Sequence, residues 1–215
     1  MSKENNILNI LSFFKRENET DAVNFFMIAG LGNPGREYKN NRHNIGFMLL
    51  NLFAEKQRED FARIESNALV AKTNYGNKRL LLVKPQDFMN RSGKAIGSLI
   101  KYYKIPLEQI MILYDDVDLS LGQIRIRPFG GSGGHKGISS VIDRLGTDSF
   151  PRMRLGIGRP PGKKNAAAYV LQDFTASEVE TVEFMLIRAI DALDEYLTNG
   201  LEAAMNKYNV TVDIQ

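Results

Sequence analysis

Short apolar runs alternate with amphipathic segments along most of this chain. Six runs have the length and flanking turns of β-strands: 25–29, 68–74, 79–84, 109–114, 123–127 and 153–157. Apolar residues recur at helical spacing in four segments, which are 45–53, 96–103, 138–145 and 179–197. A shorter helix is predicted after Gly200. This alternation favours an α/β fold: one domain with a mixed, largely parallel twisted sheet flanked by helices on both faces.

The chain has 215 residues, which is the size of one ordinary domain. We expect that domain to span 24–212, and residues 1–23 to form an N-terminal extension of unknown role. The extension contains a short amphipathic piece at 7–14 but no pattern of a secretory signal. No apolar run approaches the length that crosses a bilayer, so we expect a cytoplasmic protein without a membrane partner.

The composition argues against disulfide bonds and metal sites. There is no cysteine, and the two histidines stand far apart in the sequence, so we expect no disulfide, no metal site and no cofactor. The net charge of +3 is too small to indicate a nucleic-acid partner by itself.

The distribution of charge is more informative than its total. Two tracts are basic and unopposed by acids; they contain Arg125, Arg127, Lys136, Arg152, Arg154, Arg159, Lys163 and Lys164. The segment 173–195 is instead strongly acidic. This asymmetry is typical of a surface that faces a polyanion, although solvated loop charges explain it equally well.

Polar residues without an obvious structural role follow the predicted strands in three loops, 33–43, 88–90 and 114–118. The carboxyl ends of parallel strands meet at one edge of a sheet, so we expect these loops to converge. His43 would then face the carboxylate of Asp115 and the amides of Asn33 and Asn90. An imidazole at a helix start, oriented by a carboxylate, is a competent general base.

Three other motifs have weaker support. Gly30, Gly32 and Gly35 fit the spacing of a dinucleotide fingerprint, but Pro34 and a charged loop stand where its helix should begin. The run 130–134 fits the GxSxG serine elbow, yet the only histidine after Ser132 is three residues away, which leaves no room for an acid. A magnesium site at 115–118 would lack a phosphate-binding loop nearby.

Five segments together resemble bacterial-type peptidyl-tRNA hydrolase: GLGNPGREYKNNRHNIGF, KPQDFMNRSGKA, ILYDDVDLSLGQIRIR, GGSGGHKGI and FPRMRLGIGRPPGK. The resemblance covers about residues 25–208 in order. It implies a single α/β domain that cleaves the ester between a peptide and the 3′ end of tRNA, without a metal. We expect a monomer with no obligate protein partner.

The resemblance also implies roles for individual residues. His43 is similar to the base that activates water, Asp115 to its supporting carboxylate, Asn33 to the residue that recognises the blocked amino group, and Asn90 to the amide that polarises the ester. Others match positions that line the substrate cleft or contact tRNA phosphates: Tyr38, Phe88, Met89, Arg125, Arg127 and Arg154.

One position departs from the family. Lys136 stands where the family more often has asparagine, and lysine donates hydrogen bonds but cannot accept them. We therefore predict that Lys136 binds the tRNA end or the ester carbonyl rather than orienting water. Two rival hypotheses remain: a non-catalytic RNA-binding member of the same fold, and a serine esterase that depends on Ser132.

Overall fold

The protein is described by a computed structural model covering residues 25–160, 162 and 165–211. Its centre is a seven-stranded sheet with the order β2-β3-β4-β1-β5-β7-β6. The strands are β1 Phe25–Gly30, β2 Arg63–Glu65, β3 Ala68–Tyr75, β4 Lys78–Pro85, β5 Ile110–Asp116, β6 Ile124–Arg127 and β7 Arg152–Gly156. The four central strands are parallel, and the outer pairs on both sides are antiparallel.

Within the described residues, six α-helices connect and cover these strands: α1 Ile45–Lys56, α2 Ser92–Tyr103, α3 Lys136–Leu145, α4 Ala166–Val170, α5 Val179–Asn199 and α6 Leu201–Tyr208. This arrangement confirms the predicted fold class, a single α/β domain with helices on both faces of a mixed sheet. No helix among the described residues is both long and apolar enough to cross a membrane.

Strand β1 divides the core into two halves because its side chains point alternately to opposite faces of the sheet. Ile28 packs with α1, α5 and α6 on one face. Met27 and Ala29 pack with α2 and α3 on the other. Both faces are therefore apolar, which explains why β1 reads as a continuous apolar run rather than as an alternating one.

Every predicted element is present, but the short strand β2 and the short helix α4 were not predicted, and two boundaries differ. Strand β5 continues through Asp116, so Asp115 belongs to the strand and pairs with Leu155 of β7 instead of lying in the predicted loop 114–118. Helix α2 begins at Ser92, ahead of the predicted segment 96–103, and the Ser92 hydroxyl donates to the carbonyl of Met89. The predicted extension 1–23 lies outside the described residues.

One member of the predicted basic tracts has a structural role. Arg152 is buried, and its guanidinium donates to the carbonyls of Gly130, Asp148 and Phe150. It thereby fastens the glycine-rich loop after β6 to the loop before β7. The Arg152 guanidinium is therefore hydrogen-bonded inside the protein and does not contribute to the basic surface.

Candidate active site

His43 lies in a single 3-10 turn, Arg42–Asn44, that leads directly into α1. The first turn of α1 packs unusually close to the sheet: a Cβ on Gly46 would lie 2.4 Å from the backbone oxygen of Leu113 in β5. Only glycine permits this approach. The close packing brings His43 to the carboxyl end of β5, where Asp115 is located.

The predicted pairing of His43 and Asp115 is present. His43 Nδ1 lies 2.8 Å from Asp115 Oδ1, and the Asp115 side chain is 2% exposed. Burial acts to raise the pKa of the Asp115 carboxyl, but attraction to His135 and His43, and the hydrogen bonds with them, hold that pKa well below its usual range. The carboxylate is thus available to orient an imidazole at any physiological pH.

A second histidine, which the sequence analysis did not assign to the site, meets the same oxygen. His135 Nε2 lies 2.9 Å from Asp115 Oδ1, and the two imidazole rings are 5.0 Å apart. His135 Nδ1 accepts a hydrogen bond from the backbone N–H of Ile138 as the cap of α3. Because Nδ1 is an acceptor, the proton of a neutral His135 must lie on Nε2, which donates to Asp115.

These hydrogen bonds also fix the tautomer of His43. A carboxylate only accepts, so His43 Nδ1 must carry the proton that is shared with Asp115. The other ring nitrogen, Nε2, is then an unprotonated acceptor when the ring is neutral, and no described residue donates to it. This is the state that a general base requires.

The two histidines are distant in the sequence but adjacent in space, so the expectation of no metal site cannot rest on their separation. The ligand atoms of His43, Asp115 and His135 all lie within 4.8 Å of one another. Zinc bonded to all three at about 2.0–2.2 Å would hold them at least about 3 Å apart. The observed separations of 2.8 and 2.9 Å are instead those of direct hydrogen bonds.

Asn33, in the loop after β1, is held in place by three hydrogen bonds. Its backbone N–H donates to Asn44 Oδ1 at 2.8 Å, and Asn44 Nδ2 donates back to its carbonyl at 2.9 Å. Its side-chain oxygen accepts from the backbone N–H of Met89 at 2.8 Å. Among the described residues, nothing accepts from Asn33 Nδ2, which leaves this amide one free pair of donors.

The residue before His43 is a further anchor that the sequence analysis missed. Arg42 is buried, forms an ion pair with Glu178 at 2.6 Å and donates to the carbonyl of Asp173 at 2.6 Å. Its guanidinium also stacks on the ring of Tyr169, 4.3 Å from the centroid. Arg42 therefore fastens the His43 turn to the segment that precedes α5. Hydrophobic periodicity locates buried apolar residues, so it could not predict that this arginine is buried.

Asn90 and Lys136 form no hydrogen bond with His43, Asp115 or His135 in the part of the chain that the structure describes. Both are exposed and line one cleft of about 520 Å³ between α2 and α3. Asn90 directly follows Met89, whose backbone holds Asn33, and Lys136 directly follows His135. Asn90 and Lys136 are therefore each next in sequence to a residue that forms a hydrogen bond within the site.

The three residues expected to line the substrate cleft differ in exposure. Phe88 is 59% exposed, and Tyr38 is half-buried in the 3-10 turn Arg36–Tyr38. Met89 is only 4% exposed, so its side chain packs under the site and offers little surface to a ligand. Its backbone N–H, by contrast, has a defined task in holding Asn33.

The three arginines expected to contact tRNA also differ. Arg127 is exposed at the end of edge strand β6. Arg125 is half-buried and donates to the carbonyl of Asn209. Arg154 forms an ion pair with Asp116. Only Arg127 thus presents its charge to solvent without a described carboxylate or carbonyl partner.

The weaker motifs are accounted for by the same set of interactions. Asp115, Asp116 and Asp118 face different partners, the last being Arg159 at 2.5 Å, so the three carboxylates do not converge on a cation. Both ring nitrogens of His135 bond to groups other than Ser132, and no other described side chain is hydrogen-bonded to the Ser132 hydroxyl as a base. A 3-10 turn, not a helix that starts at the glycines, follows β1.

Comparisons with known proteins agree with this geometry. The family model for peptidyl-tRNA hydrolase matches residues 27–215. A peptidyl-tRNA hydrolase from Thermoanaerobacter sp. (strain X514) is 45% identical over 184 residues, 86% of this chain and 99% of that protein. One from Desulfitobacterium hafniense (strain Y51) is 46% identical, covering 85% and 98%.

Solved structures point the same way. The crystal structure of peptidyl-tRNA hydrolase from Acinetobacter baumannii superposes with a TM-score of 0.82 at 31% identity, covering 87% of this chain and 96% of that one. Sequence, fold and the paired imidazole and carboxylate therefore lead to one conclusion: this chain belongs to the peptidyl-tRNA hydrolase family.

Proposed function

We propose that this protein hydrolyses the ester that joins a peptide, or an N-blocked aminoacyl group, to the 3′ end of tRNA. One observation carries the proposal: the hydrogen bond between His43 Nδ1 and Asp115 Oδ1, at 2.8 Å, leaves His43 Nε2 as an available base. The products are free tRNA and free peptide, so the reaction recycles tRNA during translation.

In this mechanism His43 Nε2 takes a proton from a water molecule while the water oxygen attacks the ester carbonyl carbon. Asp115, already ionised, stabilises the imidazolium that forms. When the tetrahedral intermediate collapses, the carbon–oxygen bond to the ribose breaks, and the imidazolium returns its proton to the departing ribose oxygen. The Asn90 amide donates to the ester oxygen that carries negative charge, and such a donor is typically worth about 10²–10³ in rate.

Asn33 supplies the selectivity for blocked amino groups. Its oxygen is occupied by the Met89 N–H, so the group left for the substrate is the donor Nδ2. A donor suits the carbonyl of the first peptide bond, which an ordinary aminoacyl-tRNA with a free cationic ammonium lacks. The same group would face that ammonium donor to donor, which is unfavourable.

Arg127, Arg125 and Arg154 are proposed to contact tRNA phosphates, with Tyr38, Phe88 and Met89 at the cleft. Arg127 is exposed in the free protein, whereas Arg154 must first exchange Asp116 for a phosphate. Binding should therefore weaken with added salt. We further propose that the protein acts in the cytoplasm as a monomer, with 24–212 as its catalytic domain and no obligate protein partner.

The decisive experiment measures release of N-acetyl-phenylalanine from N-acetyl-phenylalanyl-tRNA. His43→Ala should lower kcat by about 10²–10⁴, the usual contribution of a general base. Ser132→Ala is the matched control and should retain wild-type turnover. If the wild-type protein binds the tRNA but releases no N-acetyl-phenylalanine, the chain is a non-catalytic RNA-binding member of the fold. If the Ser132→Ala variant has no activity, the protein is a serine esterase.

A further inference from the structure

A basic groove runs along the seam between α2 and α3, beside the His43 site. We use this name for the cleft of about 520 Å³ lined by Arg91, Lys94, Lys136, Arg144, Asp143 and Asn90. Four of these side chains are cationic and one is anionic. The volume is that of a typical small-molecule or nucleotide site.

The groove exists because the two helices pack very closely. A Cβ on Gly93 would lie 2.0 Å from the backbone oxygen of Ser140, and the Gly93 N–H donates to Ser140 Oγ at 3.1 Å. Gly97, one turn further along, lies against the side chain of Arg144. The pairing of 93 with 140 and of 97 with 144 makes the helices parallel, so both amino ends, the positive ends of their dipoles, open toward Asn90.

The four cations of the groove outnumber its one carboxylate, that of Asp143. Within the part of the chain that the structure describes, none of its four basic side chains forms an ion pair. Arg154 and Arg159, by contrast, pair with Asp116 and Asp118. Cations held together without carboxylate partners repel one another, and an anionic ligand would relieve that repulsion.

We propose that the basic groove binds phosphodiesters of the single-stranded 3′ end of tRNA, immediately upstream of the ester. The inference rests on the proposed function, which places that ester beside Asn90, one wall of the groove. A peptide is a poorer occupant because its charge differs from one substrate to the next. The phosphodiesters of the RNA strand are present in every substrate, and a fixed set of cations suits a fixed set of anions.

The test compares two substrates that carry the same ester. One is N-acetyl-phenylalanyl-tRNA; the other is 2′(3′)-O-(N-acetyl-phenylalanyl)adenosine, which has no phosphate. In the double variant Lys94→Gln with Arg144→Gln we expect KM for the tRNA substrate to rise about tenfold while kcat is kept. The slope of log KM against log salt concentration should flatten by about 0.7 for each phosphate that the variant no longer neutralises. Turnover of the adenosine ester should be unchanged.

Lys104→Gln, at the far end of α2 and outside the groove, is the matched control and should leave both substrates unaffected. An equal rise in KM for both substrates, or an unchanged KM for the tRNA substrate, would overturn the groove assignment. So would a rise in KM that grows with the number of acidic residues in the peptide, since that result assigns the groove to the peptide.

A binding measurement separates this proposal from the proposed function. Fluorescence anisotropy with the labelled RNA tetranucleotide ACCA needs no turnover, and the double variant should bind it about tenfold more weakly than wild type. If wild type cleaves neither ester but shows this difference, the proposed activity fails and the groove stands. If binding of the tetranucleotide is the same in both proteins, the groove assignment fails whatever the activity.

Discussion

The side-chain oxygen of Asn33 accepts a hydrogen bond from the backbone N–H of Met89, 56 residues further along the chain, at 2.8 Å. This bond joins the loop after β1 to the loop after β4. It also leaves Asn33 Nδ2, and not the side-chain oxygen, without a partner among the described residues. Asn33 thus combines a structural acceptor with a donor that we propose recognises the substrate.

Two substitutions at Asn33 should separate these roles. Asn33→Asp keeps an acceptor for the Met89 N–H but removes the donor, so we expect a folded protein whose kcat/KM on N-acetyl-phenylalanyl-tRNA falls about 100-fold. Asn33→Ala removes both and should also lower the free energy of unfolding by about 1–3 kcal/mol, because a buried N–H loses its partner. Urea unfolding and steady-state kinetics measure the two effects. Equal stability of the two variants would contradict the structural role.

His135 is expected to act as a positioning residue through Asp115. His135→Asn can still cap α3, since asparagine is a strong cap, but it cannot reach Asp115. Asp115 then loses one of the two groups that hold it in place, so we expect kcat to fall about tenfold, equivalent to about 1.4 kcal/mol. The Asp115 charge is also no longer shared with His135, so the acidic limb of the pH profile of kcat/KM should move to higher pH. An unchanged profile would show that His135 only supports the fold.

The spacing of His43, Asp115 and His135 makes a metal test necessary. We expect full activity after dialysis against EDTA and no stimulation by added Zn²⁺ or Mg²⁺, because direct hydrogen bonds account for the separations of the three groups. The measurement is initial rate on N-acetyl-phenylalanyl-tRNA before and after dialysis. Activity that disappears with EDTA and returns with one metal would replace the proposed mechanism.

Lys136 can be tested against the residue that is more usual in the family. Lys136→Asn removes one cation from the basic groove, so apparent affinity for N-acetyl-phenylalanyl-tRNA should fall several-fold and the dependence of KM on salt should weaken. The matched control is Lys136→Arg, which retains the charge and should keep wild-type affinity. Unchanged tRNA affinity in Lys136→Asn would show that Lys136 does not bind the tRNA end.

Lys84 provides a prediction remote from the site. Burial lowers its pKa to about 8, while its ammonium group packs on the ring of Phe61. Between about pH 8 and the usual lysine pKa of about 10.4, the unfolded chain holds a proton that the folded chain has lost. Stability therefore rises with pH through that window, and below it the buried charge destabilises the fold.

In Lys84→Met this rise should be absent. Relative to the variant, wild type should gain roughly 2–4 °C in Tm between pH 8 and 10.5 for each kcal/mol recovered. Differential scanning calorimetry across this range measures the difference, and Lys104→Met, an exposed lysine, is the control. Parallel curves for wild type and Lys84→Met would show that Lys84 keeps its proton through this range.

Much of the fold follows from local patterns. Apolar runs of strand length and stripes at helical spacing are set by burial on one or two faces, so β1, β5, α1 and α5 could be located without coordinates. The pairing of His43 with Asp115 was also predictable, because parallel strands bring their carboxyl ends to one edge. The alternation of strands and helices along the chain predicts parallel strands, and parallel strands have their carboxyl ends at the same edge of the sheet.

Other features depend on atoms that only the folded chain brings together. The sequence gives no sign that His135 belongs to the site. In the folded chain, its ring nitrogens are hydrogen-bonded to the backbone N–H of Ile138 and to Asp115. The bond from Met89 to Asn33 Oδ1 and the burial of Arg152 have no periodic signal either. The sequence thus determined that His43, Asp115 and Asn33 lie at the carboxyl edge of the sheet. Tertiary packing decided which of their atoms form hydrogen bonds within the protein and which remain free to react, because hydrogen bonds depend on distances in space and not on separation along the chain.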